Sequence, residues 1–169
     1  MMELLAFGDT GWGDELLLSM VMTILVSTSS LAFGLIIGTI FASFKLSNSY
    51  ILKAIAEFYT TVVRGVPELL VIYLLFFGGS GAVMYVAKIF GHMGYIELSP
   101  FTIGTIAVGA ISGAYSTEVI RGAILAVPKG QFEAAQTLGM AKYAMSFKVI
   151  FPQVARLALP GIGNVWQVT

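Results

Sequence analysis

A long uncharged stretch, Leu16 to Phe44, constrains this chain more than any other feature of its sequence. The stretch exceeds the roughly 20 apolar residues that a helix needs to cross the hydrocarbon core of a bilayer. Of the 169 residues, 57% are hydrophobic and 11% are charged, whereas soluble domains carry about 25% charged residues. The sequence therefore predicts a polytopic, all-α membrane protein.

Further apolar stretches predict additional spans. Together with the first, they lie at about residues 16–44, 62–86, 99–121 and 153–169. Arg64, Pro67 and Glu68 interrupt the second stretch, where Pro67 should begin or kink the helix. Ser99 and Pro100 form a favourable helix start. The uncharged part of the last stretch is too short to cross a bilayer, so the chain is expected to stop within its fourth transmembrane helix.

Small and polar residues predict how the spans pack and where they end. Gly34 with Gly38, and Gly109 with Gly113, are spaced for close helix packing. The GGSG run at residues 78–81 is expected to be a flexible break. Residues 82–97, which include the only histidine, His92, are expected to form an external loop with a short interfacial helix. Glu118 and Arg121 are expected to pair at the end of the third span.

The longest polar interval between apolar segments runs from residue 127 to residue 152, VPKGQFEAAQTLGMAKYAMSFKVIFP. Phe132, Ala135 and Leu138 recur at helical spacing, and Gly139 can end such a helix. Residues 140–150 can start a second helix. The interval thus predicts a short amphipathic helix whose apolar side could lie in a groove of a partner protein.

This interval resembles the EAA loop of ABC-importer permeases, on Glu133, Ala134, Ala135 and Gly139 followed by Ile150 and Pro152. The runs YTTVVRGVPELL, GAYSTEVIRGAILAVPKGQ and ALPGIGNVWQV are similar to polar amino-acid permeases of the histidine/lysine/arginine/ornithine and octopine/nopaline types. The resemblance extends from about Leu16 to the end. It implies the type I importer permease fold.

The resemblance also implies a function for the loop and a set of partners. The partners would be a related second permease subunit, two ATP-binding subunits, a periplasmic substrate-binding protein and the bilayer. The 127–152 loop would couple to the ATPase, with Glu133 making a polar contact, Ala134 and Ala135 keeping the helix thin, and Gly139 permitting the turn. The cargo would be polar, and basic, amino acids or opines.

The distribution of Lys and Arg predicts the orientation. Eight of the nine flank the second span, end the third, or surround the 127–152 loop, and only Lys88 lies elsewhere. The positive-inside rule places the loop in the cytoplasm and the N-terminus in the periplasm of a bacterial inner membrane.

The sequence also limits the possible chemistry. It contains no GxxxxGK[ST] motif, so ATP hydrolysis is expected on a separate chain, and no enzyme, cofactor or metal site is predicted. Net charge is zero, which argues against nucleic-acid binding. Tyr115, Ser116 and Glu118 are expected on or near the translocation path, with an ion pair from Glu118 to Arg121 or Arg64 as the alternative. Two alternative functions are a non-transporting membrane scaffold and an importer of another polar solute.

Overall fold

The computed structural model describes residues 6–8, 11–91 and 99–168, and these residues form helices without strands. Seven α-helices and one π-helical turn follow in chain order: α1 Gly13–Leu46, α2 Tyr50–Gly65, α3 Glu68–Ile89, α4 Pro100–Ala126, α5 Lys129–Thr137, α6 Lys142–Met145, the π-helical turn Ser146–Ile150, and α7 Phe151–Val168. Among these residues, α1, α3 and α4 are long and apolar enough to cross a membrane. The all-α class is therefore confirmed.

The helix ends follow from local chemistry. The Ser99 hydroxyl accepts a hydrogen bond from the Thr102 amide at 3.2 Å, and Pro100 occupies the first helical position of α4. Pro67 separates α2 from α3, with Val66 before it in the extended conformation (φ −105°, ψ 144°), because a proline ring disfavours helical geometry in the preceding residue. The apolar stretch predicted as one span at 62–86 is thus divided, and its long apolar helix begins at Glu68.

Two expectations about helix ends were wrong. The GGSG run lies inside α3, which continues to Ile89 and so also includes the start of the predicted external loop. A glycine costs a helix about 1 kcal/mol, but an unpaired backbone group in an apolar surrounding costs several. Glu118 and Arg121 do not end α4, which extends to Ala126. His92 and the rest of the predicted external loop, residues 93–97, lie outside the described residues.

The core of the molecule is the contact between α1 and α4. These helices run parallel, with Gly34 against Ser112 and Gly38 against Ser116. The Ser30 hydroxyl donates to the Thr105 carbonyl at 3.3 Å, and the Ser112 hydroxyl donates to the Ser30 carbonyl at 3.2 Å. The predicted small-residue pairs therefore face one another across one interface.

The other helices surround α4. Helix α7 packs antiparallel to it, because Gly161 lies against Val119 while Val168 lines a cavity together with Val108. Helix α2 is joined to it by the half-buried Tyr59, whose hydroxyl donates to the Ala110 carbonyl. Partial burial raises the pKa of Tyr59 to about 12. Among the described side chains of α3 none is fully buried, and large apolar side chains such as Leu69 and Leu74 are exposed.

Candidate functional site

The EAA-type residues lie on α5 and on the turn that follows it. Glu133 and Ala134 are exposed, Ala135 is buried at 3% exposure, and Gly139 is exposed in the turn. Leu138, the cap residue of α5, has 80% of its surface exposed. The exposed surface of this helix therefore includes a small residue, Ala134, with a carboxylate and an apolar side chain near it.

Gly139 ends α5 as the sequence predicts. Its φ is +69°, in the left-handed region that favours glycine. The Gly139 amide donates to the Gln136 carbonyl at 2.9 Å, and the Met140 amide donates to the Ala135 carbonyl at 3.1 Å. These two hydrogen bonds form a Schellman motif. The motif satisfies the last carbonyls of α5 and turns the chain back towards α6.

The apolar side of α5 packs against its own chain. Val127, Ala135, Met145 and Ile150 form a buried cluster. Partly buried side chains complete it: Phe132, Met140, Val149 and Val154. Residues 140–154 thus cover Phe132 and Ala135 of the predicted apolar side, whereas Leu138 remains exposed, so only the Leu138 end of that side is left for a partner. Ala135 supports the segment from within, whereas Ala134 is available to a partner.

A π-helical turn connects α6 to α7. The Phe151 amide donates to the Ser146 carbonyl, one residue further back than in an α-helix. Pro152 follows directly, and a proline ring clashes with the carbonyl four residues before it, here that of Lys148. Widening the turn relieves this clash, so the proline of the EAA pattern explains the local geometry.

A charged cluster lies near the opposite end of α4 from Ser99. Glu118 on α4 accepts from Lys45 at the end of α1, and from Arg121 Nε and Nη2 at 3.1 and 2.9 Å. Lys45 Nζ also lies 3.1 Å from Glu57 on α2, and its side chain is 4% exposed. Arg64 Nη1 lies 3.9 Å from Glu118. These charges connect three helices, α1, α2 and α4. The predicted pairing of Glu118 with Arg121 is confirmed. Lys45 is a further partner of Glu118 that was not predicted from the sequence.

Tyr115 occupies a different environment. Its hydroxyl donates to Glu68 Oε1 at 3.0 Å, and the Arg64 guanidinium carbon lies 5.4 Å from the centre of its ring. Tyr115 and Glu68 line a cavity of about 200 Å³ between α3, α4 and α7, which Asn164 also lines. Glu68 and Asn164 were not predicted. The only sequence signal was their polarity within apolar stretches.

Ser116 is fully buried where α1 crosses α4. Its Cβ lies 2.7 Å from the position that a Cβ on Gly38 would take. Its hydroxyl has no hydrogen-bond partner among the described residues. The three predicted path residues thus occupy three environments: a cavity wall, a helix contact and an ion-pair cluster. Within the described part of the chain, no group of three His, Asp or Glu side chains could hold a metal ion.

Comparison with known proteins supports the resemblance read from the sequence. Residues 34–168 match the family described as the binding-protein-dependent transport system inner membrane component. The nopaline transport system permease protein of Agrobacterium fabrum is 52% identical over 99% of this chain and 72% of its own length. The histidine/lysine/arginine/ornithine transport system permease protein of Escherichia coli is 42% identical over 94% of this chain and 69% of its length.

A solved structure shares the fold. The crystal structure of an amino acid ABC transporter with histidines matches with a TM-score of 0.68 and 33% identity, covering 88% of this chain. The present chain spans 64% of that chain's length. Fold, sequence and motif agree, and the chain belongs to the family of binding-protein-dependent transport system inner membrane components, as a permease subunit of the ABC-transporter type.

Proposed function

We propose that this chain is the transmembrane subunit of an ATP-driven importer for polar, and in particular basic, amino acids or opines. The observation that carries the proposal is the 127–152 segment, which folds on its own cluster and presents Glu133 and Ala134 outward. The names of the relatives support the cargo class. ATP hydrolysis belongs to separate ATP-binding subunits, because the relatives are permeases and this chain lacks a phosphate-binding loop.

The importer needs partners that each meet a different part of the chain. Two ATP-binding subunits serve the paired permeases, one of them meeting the outward face of α5 on this chain. A related second permease completes the path across the bacterial inner membrane, and a periplasmic binding protein delivers the cargo. The apolar surface of α3 suits either the second permease or lipid.

The packing of the 127–152 segment against α4 and α7 supports a role in coupling the ATPase to the spans. Val127 comes directly after α4 and is buried in the same cluster as Ala135 and Ile150. A displacement of α5 by the ATPase therefore moves α4 and α7 together, since packed clusters shift as units rather than deform. The structure supports contact roles for Glu133, Ala134 and Leu138, an internal role for Ala135, and a turn role for Gly139.

The orientation follows from charge. The segment is cytoplasmic and the N-terminus periplasmic, since Lys45, Arg64 and Arg121 meet at the end of α4 that leads into the segment. Single cysteines at Lys129 and Lys88 of this cysteine-free chain should react with impermeant reagents from opposite sides. Labelling of position 129 on intact cells would contradict this orientation.

The coupling role is tested by Gly139→Asp. The change strains the left-handed turn and adds a negative charge at the C-terminus of α5, where the helix dipole disfavours it. Gly91→Asp is the matched control, because Gly91 also has a positive φ (+83°), and at both glycines no atom of the described residues, apart from the chain neighbours, lies within 4 Å of the Cβ position. We expect the Gly139 variant to reach the membrane with its partner permease, but to transport poorly and retain its ATPases loosely. Normal transport at normal abundance would show that this segment does not couple.

The translocation path is proposed to pass Tyr115, which faces the cavity, with Ser116 and Glu118 close to it. The ion pairs around Glu118 support a structural role for that carboxylate. Glu118→Gln separates the two roles in the assembled transporter. Unchanged transport, and an unchanged preference for cationic over neutral cargo, would exclude a direct role in substrate recognition.

The family match does not favour a non-transporting scaffold. Co-purification with an ATPase, and stimulation of its activity by a binding protein, would distinguish a transporter from a scaffold. A substrate screen on the complete complex would distinguish amino acids and opines from other polar solutes.

A further inference from the structure

A row of exposed aromatic side chains follows the turn at Gly139. Tyr143, Phe147 and Phe151 are spaced four residues apart, with ring centres 4.5 Å and 6.3 Å from one another along the row. Their exposed fractions are 75%, 55% and 61%. Residues four apart drift around an α-helix, and the wider π-helical turn between α6 and α7 reduces that drift. The local geometry thus keeps the three rings on one face.

The aromatic row lies at the depth at which α4 ends. Phe147 and Phe151 line an apolar cavity of about 330 Å³ together with Ile124, in the last turn of α4, and Phe132 on α5. Helix α4 is long and apolar enough to cross a membrane, and its charged residues Glu118 and Arg121 come one to two turns before its end, so its last turn is expected at the boundary between membrane and cytoplasm. The row is therefore placed at that boundary.

The charge around the row has one sign. From Leu138 to Val168 the sequence contains no Asp or Glu, whereas Lys142, Lys148 and Arg156 are all exposed. None of these three cations makes an ion pair within the described part of the chain. The charged cluster at Glu118 differs, since each of its cations has a carboxylate within 4 Å.

We propose that the aromatic row is seated in the lipid interface and that Lys142 and Lys148 bind the phosphates of anionic phospholipids. Aromatic rings concentrate at the headgroup level of membranes, and basic side chains next to a span attract anionic lipids. The row supplies the apolar anchor and the lysines supply the charge. The surface would favour the headgroup region for the end of α4 while the outward face of α5 remains free.

This inference does not depend on the coupling role proposed for α5. The row and the outward face of α5 are different surfaces, because Phe132 and Ala135 pack between them. A partner ATPase covering the row is the competing occupant, and the experiment separates it from lipid.

Single cysteines at positions 143, 147 and 151 are labelled with bimane in the full chain, which contains no native cysteine. A cysteine at the exposed Gln136 on α5 is the control. Each variant is placed in nanodiscs of phosphatidylcholine and phosphatidylglycerol in which one lipid at a time carries brominated acyl chains. Quenching is measured with and without the partner ATPase. Variants are compared only where their elution and circular dichroism match the parent chain.

We expect quenching at all three positions of the row and none at position 136. Brominated phosphatidylglycerol should quench more than its bulk fraction predicts, by an enrichment of up to about fivefold per lysine, and this excess should shrink at high salt. Lys142→Gln with Lys148→Gln should abolish the excess, whereas Lys53→Gln, an exposed lysine on α2, should leave it unchanged.

Three results would overturn the proposal. The absence of quenching along the row would place it in water. Equal quenching by both lipids would exclude anionic recognition. Loss of quenching at all three positions when the ATPase is added would identify the row as a protein contact.

Discussion

The α1–α4 contact and the 127–152 segment use glycine in opposite ways. At Gly34 and Gly38, a Cβ would lie 2.2 Å from the Ser112 hydroxyl and 2.7 Å from the Ser116 Cβ. At Gly139, a Cβ would meet no described residue within 4 Å apart from its chain neighbours, and the constraint is the positive φ. The first region depends on close approach between two long helices. The second depends on a backbone turn supported by large apolar side chains.

The difference indicates how each region responds to change. The α1–α4 contact cannot accommodate a larger side chain, because backbone atoms of one helix lie directly against backbone atoms of the other. Added volume must therefore push the helices apart. The segment rests on a small cluster at the edge of the bundle, so its loss leaves the spans intact. A transporter of this construction would have a rigid α1–α4 pair that moves as a unit when the segment packed against its end is displaced.

The largest effect is expected for Gly34→Leu. The side chain cannot enter a contact in which the Gly113 amide lies 2.9 Å from the Cβ position, so the variant should lose about 3 kcal/mol of stability, the upper end of the usual cost of overpacking. Gly104→Leu on α4 is the control, because its Cβ position is open. Unfolding in mixed micelles measures both. Equal stability of the two variants would mean that the α1–α4 contact is not the core.

Met145→Ala should have a smaller, local effect. Met145 is 9% exposed in the cluster that supports α5, and truncating a buried methionine costs about 2 kcal/mol or more. Protease cleavage within residues 127–152 should accelerate while the spans remain protected. Met84→Ala on α3, where the side chain is exposed, is the control. Faster cleavage across the spans as well would show that the two regions unfold together.

Lys45→Gln tests the end of the α1–α4 contact. The change removes the buried cation between Glu57 and Glu118, but Glu118 keeps Arg121. We expect a loss of about 1–2 kcal/mol, below the 3–5 kcal/mol for breaking a fully buried pair. Lys53→Gln, which removes an exposed charge from α2, should cost little. If both changes have the same effect on unfolding, the cluster contributes no specific stability.

The smallest effect is expected for Gly139→Ala. Placing a Cβ in the left-handed region costs about 1 kcal/mol, and the open space around residue 139 adds no clash. Gly91→Ala, at a similar positive φ, should cost the same in unfolding measurements. Transport should separate the two, with a decrease only for residue 139. A much larger loss of stability at residue 139 would show that the turn is packed rather than strained.

Local signals in the sequence were enough to predict the membrane class, the family and the ends of several helices. Ser99, Pro100, Pro67 and Gly139 act on their immediate neighbours, and the structure shows the predicted cap, break and turn at these positions. The EAA pattern with Gly139 and Pro152 carried the family resemblance that the relatives confirm. Such signals can be read because proline, glycine and capping side chains act within one turn of the chain.

Only the tertiary structure decided which side of each element is covered. The apolar side of α5 faces residues that follow it, Ser116 faces α1, and Glu118 meets Lys45 from a position 73 residues away. Hydrophobic periodicity shows that a helix has an apolar side, but it does not identify the residues that pack against that side. The partner is chosen by packing between distant parts of the chain, where shape and charge match only after the helices have come together.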